Sequence, residues 1–280
     1  MAIKDLLVAF NDDPGARNAL TYGLQMAKKY GAALTGMYSY QPQSYGGSVS
    51  RWIPDDVFEN MAEAEADSAR EIEKAFHAQV KEAGHKGEVH FHIEKGRPDL
   101  MLARAARYHD LLLVGSFVSA LQNKERKAMQ PEQLLERAGK PIIIIPADYK
   151  VRPFTEQAAV GWDASRSAAR ALTDAMQILE TKKKLDVLTV KTDDDEQRHG
   201  DMPERDIIAH LKRHGIAANL VQLDAGPHEI AQAFLGHCAK TDPDVLVMGA
   251  FGRSKIGALL FGGVTLHILE NMNVPVFMSH

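Results

Sequence analysis

The feature that most constrains this chain is a repeat. Val8, Ala16, Ala19, Leu20, Thr21 and Gln25 return in constant register as Val160, Ala168, Ala171, Leu172, Thr173 and Gln177. Farther along, Asp110-Leu111-Leu112-Leu113-Val114-Gly115 returns as Asp244-Val245-Leu246-Val247-Met248-Gly249, and Pro141 with its apolar run returns as Pro275-Val276-Phe277-Met278. Similarity that keeps its spacing over so much chain marks one structural unit used twice. With domains of about 100 to 200 residues as the norm, 280 residues accommodate two such units. Their expected extents are 1–146 and 156–280. The boundary falls in Ala147 to Thr155, where Asp148-Tyr149-Lys150-Val151-Arg152-Pro153 separates two apolar runs.

Within a unit, short apolar runs alternate with amphipathic stretches. Leu6-Leu7-Val8-Ala9-Phe10 suits a strand buried on both faces, and Asn11-Asp12-Asp13-Pro14-Gly15 is turn chemistry ahead of a helix. A second run at Ala33–Tyr38, a long helix from Pro54 to Lys81 and an alternating strand at Val89–Ile93 follow. A helix over Pro98–Tyr108, the run Leu111–Gly115, a helix after Pro131 and the run Ile142–Ile145 complete the unit. Val/Ile/Leu runs joined by helical crossovers specify a parallel sheet covered on both faces, with right-handed connections. The fold class is α/β: two tandem, doubly wound domains, each a five-stranded, mainly parallel sheet flanked by helices.

Composition removes several functional classes. Apolar residues make up 45% and charged residues 25%, which disfavours disordered, collagenous and disulfide-framework chains. A formal charge of −4, from 33 Lys plus Arg against 37 Asp plus Glu, gives no footprint for nucleic acid. The single cysteine, Cys238, has no intrachain partner, and Met1-Ala2-Ile3-Lys4-Asp5 lacks a signal-peptide layout, so a cytoplasmic location is expected. No window approaches the roughly 20 apolar residues of a membrane-spanning helix.

The most informative segment follows the fourth run of the second unit, from Gly249 through Gly252, Arg253, Gly262, Gly263 and Val264 to Thr265. Glycines at the carboxyl end of a parallel strand let backbone approach a ligand. The apolar spacing of Val264, Ile268 and Leu269 starts a helix near Gly262-Gly263. A helix N-terminus facing a strand end presents unpaired N–H groups and the positive end of a dipole, which suits phosphate. Thr265 adds a hydroxyl. The competing reading makes these glycines turn residues and a tight helix start.

The pattern Gly249-x2-Gly252-x9-Gly262, closing a five-stranded parallel unit, resembles the nucleotide-binding signature of the universal stress protein family, and the duplication resembles its tandem members. The resemblance covers essentially the whole chain. It implies a Rossmann-like fold of the adenine nucleotide alpha hydrolase type and binding of ATP or another adenine nucleotide, with Mg2+ as companion. In the family the residue after the last glycine is usually Ser or Thr; here it is Gly263, which removes one hydroxyl and leaves the N–H. The resemblance also places Asp163, after Val160-Gly161-Trp162, near ribose or adenine. The alternative for Asp163 is a turn or helix-start role, with Ser165 equally able to cap the helix. Val190 stands where the family lines adenine, or is plain pocket wall. Arg253 reaches phosphate oxygens or is solvated.

The first unit departs from this pattern. Gly115 survives, but Val118 stands opposite Gly252, Ala128 opposite Gly262, Met129 opposite Gly263 and Asn11 opposite Asp163. Pro131, opposite Thr265, removes an amide donor. A nucleotide site is therefore expected in 156–280 and not in 1–146. Through the family's habit of pairing last strands, Ile142–Ile145 and Val276–Met278 are expected to join the two units within one chain, hiding both edges.

Other constellations are weaker. His90 and His92 share a strand face, and His210 and His214 a helix face, without a clear third ligand. Asp193-Asp194-Asp195-Glu196 lacks a calcium-loop pattern, and Cys238 reads as an inert thiol. Gln41–Ile53, rich in Gln, Ser, Gly and Tyr, is a lid or a plain loop. No Gly-x-Ser-x-Gly elbow, Walker loop, Ser-Gly-Gly-x-Asp-Ser loop or His-x-Gly-His motif occurs. The expectation is a nucleotide-dependent stress regulator with an unidentified protein partner, with homodimerisation left open. A ligand-free interaction scaffold, and a weak ATP hydrolase or adenylating enzyme, are the rivals.

Overall fold

The computed structural model describes residues 3–41, 55–116, 131–190, 203–226, 229–250 and 263–280. In the first half, β1 (Asp5–Ala9), α1 (Pro14–Tyr30), β2 (Ala33–Tyr40), α2 (Asp55–Glu82), β3 (Val89–Lys95), α3 (Pro98–Ala106), β4 (Leu111–Gly115), α4 (Pro131–Ala138) and β5 (Ile142–Ile145) alternate. The second half repeats the order: β6 (Gln157–Gly161), α5 (Arg166–Leu179), β7 (Lys184–Val190), α6 (Pro203–Arg213), β8 (Asn219–Leu223), α7 (Ile230–Thr241), β9 (Val245–Gly249), α8 (Gly263–Asn271) and β10 (Val276–Ser279). The α/β class and the tandem plan expected from the sequence are both observed.

The ten strands of the described residues form one sheet, in the order β3-β2-β1-β4-β5-β10-β9-β6-β7-β8. Within each half the pairings are parallel. The halves meet at the antiparallel pair β5–β10, with Ile144 opposite Val276, Ile143 opposite Phe277 and Ile142 opposite Met278. The expected pairing of last strands is thus present, and two edges that would otherwise invite outside strands become the middle of the sheet. Ile142 to Ile145 are all fully buried, alternating between two apolar layers. Both layers contain residues of both halves, so the core continues across the junction: Ile143 and Phe277 lie on one face, Ile144 and Val276 on the other. Burying each such side chain contributes about 1.5–3 kcal/mol.

The junction extends beyond the sheet into the connecting segment. Phe154 packs edge-on against Tyr22 of α1 with ring centroids 5.0 Å apart, and Lys182 Nζ lies 5.2 Å from the Phe154 ring centroid. Lys29 of α1 pairs with Glu156 at 2.5 Å, and Tyr22 Oη donates to the Asp244 carbonyl at 3.2 Å. The stretch read as a polar boundary is therefore packed between the halves.

Candidate functional site

In each half the chain passes from the first strand outward through two more strands, then returns to the other side of the first strand. The order reverses between β1 and β4, and between β6 and β9. A doubly wound sheet opens a crevice outside the carboxyl ends of the strands at such a reversal. The same local construction builds both crevices. After β1, Asn11 Oδ1 accepts the Asp13 N–H at 3.3 Å, and Asp13 Oδ1 caps α1 by accepting from Ala16 N at 2.7 Å. After β6, Asp163 Oδ1 accepts the Ser165 N–H at 3.0 Å, and Ser165 Oγ caps α5 by accepting from Ala168 N at 3.2 Å. Between these anchors the chain turns through the left-handed region, at Asp12 (φ 66°) and Ala164 (φ 51°). Asp163 thus has a defined turn role, and Ser165 is the cap.

Gly249 and Gly115 end the fourth strands, and in both halves the glycine is required by packing. A Cβ on Gly249 would lie 2.5 Å from Ser167 C and 2.6 Å from Ala168 N; one on Gly115 would lie 2.6 Å from Gly15 C and 2.9 Å from Ala16 N. The backbone at the start of α5 or α1 rests directly on the strand end. Survival of Gly115 in the first half needs no ligand.

The halves diverge at the next helix. Because β9 and β10 are parallel, α8 runs back across the sheet and its N-terminus lies on the carboxyl side of the strands. Gly263 is its first described residue, and a Cβ added there would meet nothing within 4 Å among the described residues. Val264 is half-buried and Thr265 buried in the first turn. In the first half the described part of α4 runs from Pro131, the residue opposite Thr265, which has no N–H. Val190 ends β7 opposite Leu223, half-buried on the face that carries Phe234 and Val264. The structure thus places Asp163, Gly249, Gly263, Val264 and Thr265 on the carboxyl side of the second half, with Val190 two strands from Gly249. Gly252, Arg253 and Gly262 lie outside the described residues, as do Val118, Ala128 and Met129, the acidic run 193–196 and all of Gln41–Ile53 except Gln41.

Sequence reading missed two groups here. Trp162 Nε1 and Thr189 Oγ1 are buried and have no hydrogen-bond partner among the described residues. Trp162 N bonds Leu188 O at 2.9 Å, so the two side chains sit on adjacent strand ends. A buried polar group left unpaired costs about 1–3 kcal/mol, and such groups cluster where ligands supply the missing bond. The first half has Phe10 and Tyr38 at these places, and its own buried atoms without a hydrogen-bond partner among the described residues include Ser39 Oγ and His85 Nε2. A tryptophan or threonine in a strand carries no sequence signal of this kind.

The remaining candidates take ordinary places. Cys238 is buried, and burial, with Asp186 nearby, pushes its thiol up to about 12, which makes it a poor nucleophile. His90 Nε2 lies 2.8 Å from Glu88 Oε1, and His210 and His214 pack with ring centroids 4.8 Å apart. Among the described residues no group of three or more His, Cys, Asp or Glu is placed to hold a metal, and no helix is long and apolar enough to cross a membrane.

Two doubly wound α/β domains in tandem, sharing one sheet and each with a helix N-terminus set against its strand reversal, define the class. The chain belongs to the universal stress protein family, which it matches over residues 2–146 and again over 156–280. Its fold is similar to that of a universal stress protein from Archaeoglobus fulgidus DSM 4304, at 20% identity over 98% of this chain and 95% of that one, with a TM-score of 0.75. A protein described as a universal stress protein from Pseudomonas aeruginosa UCBPP-PA14 gives 15% identity, 99% and 93% coverage and a TM-score of 0.61. A family member from Arabidopsis thaliana, solved with AMP bound, is 15% identical over 51% of this chain and 91% of that one, with a TM-score of 0.35. No curated protein matches the sequence.

Proposed function

We propose that residues 156–280 bind ATP or a related adenine nucleotide, and that residues 1–146 are a partner domain without a nucleotide site. The observation that carries this is a difference in residues: α8 contains Gly263 and Thr265 where the first half has Met129 and Pro131, and Pro131, in α4, has no N–H. Free N–H groups at a helix start favour an anion, and a proline there withdraws one. Gly252, Arg253, Gly262, Gly263, Val264 and Thr265 would surround the phosphates, with Asp163 and Val190 toward the nucleoside. The orphan groups of Trp162 and Thr189 fit a ligand able to accept or donate a hydrogen bond. Any Mg2+ would be held chiefly by phosphate and water oxygens, as is usual for this ion beside a nucleotide. Nucleotide occupancy would then regulate contacts with an unidentified protein partner during stress.

Thermal unfolding with and without nucleotide tests the reading. Binding to the native state at 100 times the dissociation constant adds about 2.7 kcal/mol, whereas a ligand-free scaffold is unmoved. Incubation with ATP followed by separation of the nucleotides tests the remaining rival: product above a no-protein blank would make the chain a hydrolase or adenylating enzyme.

A further inference from the structure

Helix α2 carries a pattern that nucleotide binding does not use. Its inner side packs on the sheet through Ala69, Phe76 and Val80. On the outer side, positions alternately four and three residues apart read Asp56, Asn60, Glu63, Asp67, Arg70, Lys74, His77 and Lys81, and all eight are exposed. Residues at this alternating spacing share one face along the helix. Charge along the stripe is segregated: the first half holds Asp56, Glu63 and Asp67 with the neutral Asn60, and the second half holds Arg70, Lys74, His77 and Lys81. The helix dipole favours that polarity only within the first and last turns; between them Asp67 pairs with Arg70 and Lys74 with Glu71 inside the helix, and the segregation along the stripe is left unexplained. Pairing within the helix needs opposite charges three or four residues apart throughout, and along the stripe only Asp67 and Arg70 meet that way.

We propose that α2 pairs antiparallel with α2 of a second copy of this chain, about a two-fold axis passing between Ser68 and Ala69. Asp56 then faces Lys81, Asn60 faces His77, Glu63 faces Lys74 and Asp67 faces Arg70, each contact occurring twice, as an isologous interface demands. No like charges meet. Parallel pairing would instead set Asp56 on Asp56 and Lys74 on Lys74. The surface groove lined by Arg70, Glu73, Lys74, His77, Ala78 and Lys81, basic on balance, receives the acidic half of the partner helix. The 28-residue helix is about 42 Å long. The stripe lies opposite the buried side, so the two bodies stand on opposite sides of the helix pair. Exposed ion pairs are individually weak and salt-screened, so the charges fix register and orientation while association stays salt-sensitive.

Sedimentation of the full chain tests this at an ionic strength of about 0.01 M, where the Debye length is about 30 Å, and at about 1 M, where it is about 3 Å. The expected result is a dimer at low salt that dissociates at high salt. Lys74→Glu alone and Glu63→Lys alone should each weaken association roughly ten-fold or more at low salt. The combined Glu63→Lys/Lys74→Glu chain should regain it, because the antiparallel register restores opposite charges. A chain that is monomeric at low salt, a dimer indifferent to either single change, or a double variant that fails to recover overturns the proposal. Circular dichroism confirms that each variant is folded, as substitution at exposed positions predicts.

Discussion

Asp110 and Asp244 hold the same post in the two halves. Asp110 Oδ2 accepts the N–H groups of Lys4 at 2.7 Å and Asp5 at 3.0 Å, and Asp244 accepts those of Thr155 at 2.8 Å and Glu156 at 2.9 Å. Each carboxylate ties the start of its unit's first strand to the turn before the fourth. Asp244 carries more: Lys182 Nζ at 2.8 Å and Arg152 Nη1 at 3.0 Å complete its shell, and its carbonyl receives Tyr22 from the other half. The duplicated strand clasp has become the joint between the domains.

Asp244→Ala should therefore cost far more than Asp110→Ala. The Asp244 side chain is fully buried and Lys182 is 3% exposed, so the change leaves a buried ammonium with Glu156 at 3.4 Å in place of its closer partner, at a cost of up to about 3–5 kcal/mol. Asp110→Ala loses hydrogen bonds near solvent, about 1–3 kcal/mol. Urea unfolding of the two variants gives the comparison.

Acid should find the same joint. Burial pushes the Asp244 carboxyl up, but the Lys182 hydrogen bond, the Thr155 N–H and the lysine charge outweigh it, and the group titrates below the usual carboxylate range. A depressed folded value means the contribution is fully present above the unfolded value of about 3.9 and is lost as pH falls through the folded one. Stability measured against pH should fall below about pH 4 in the wild type, and the decline should be shallower in Asp244→Asn.

Gly249→Ala and Gly115→Ala should destabilise to similar extents, about 1–3 kcal/mol each, since each forces a Cβ into helix backbone. Unequal losses by urea unfolding would show that one of the two glycines does more than admit its helix.

The alternation of runs, the duplication and the junction strands were legible because burial on both faces leaves an unmistakable Val/Ile/Leu signature. What lay hidden depended on three-dimensional choice among equivalent residues. Of Lys182-Lys183-Lys184, Lys182 is the one driven inward to Asp244, while the Lys184 side chain stays 47% exposed. Nothing in a lysine run marks which member lies over Phe154. Likewise the sequence offered Asp163 and Ser165 as rival caps, and the turn uses both in succession, which requires Ala164 in a conformation that a sequence does not announce.

That turn gives a prediction of its own. Alanine at φ 51° carries roughly 1–2 kcal/mol of strain, partly offset in a glycine by greater unfolded-chain freedom. Ala164→Gly should raise stability by up to about 1 kcal/mol in thermal unfolding, with Asp163 still bonding Ser165.

Calorimetric titration of ATP into the full chain, alongside its Gly262→Val and Val118→Ala variants, tests the asymmetric site most directly. The account predicts one nucleotide per chain, abolished by Gly262→Val and untouched by Val118→Ala. Two nucleotides per chain, no heat of binding under any condition, or loss of binding on changing Val118 would contradict it.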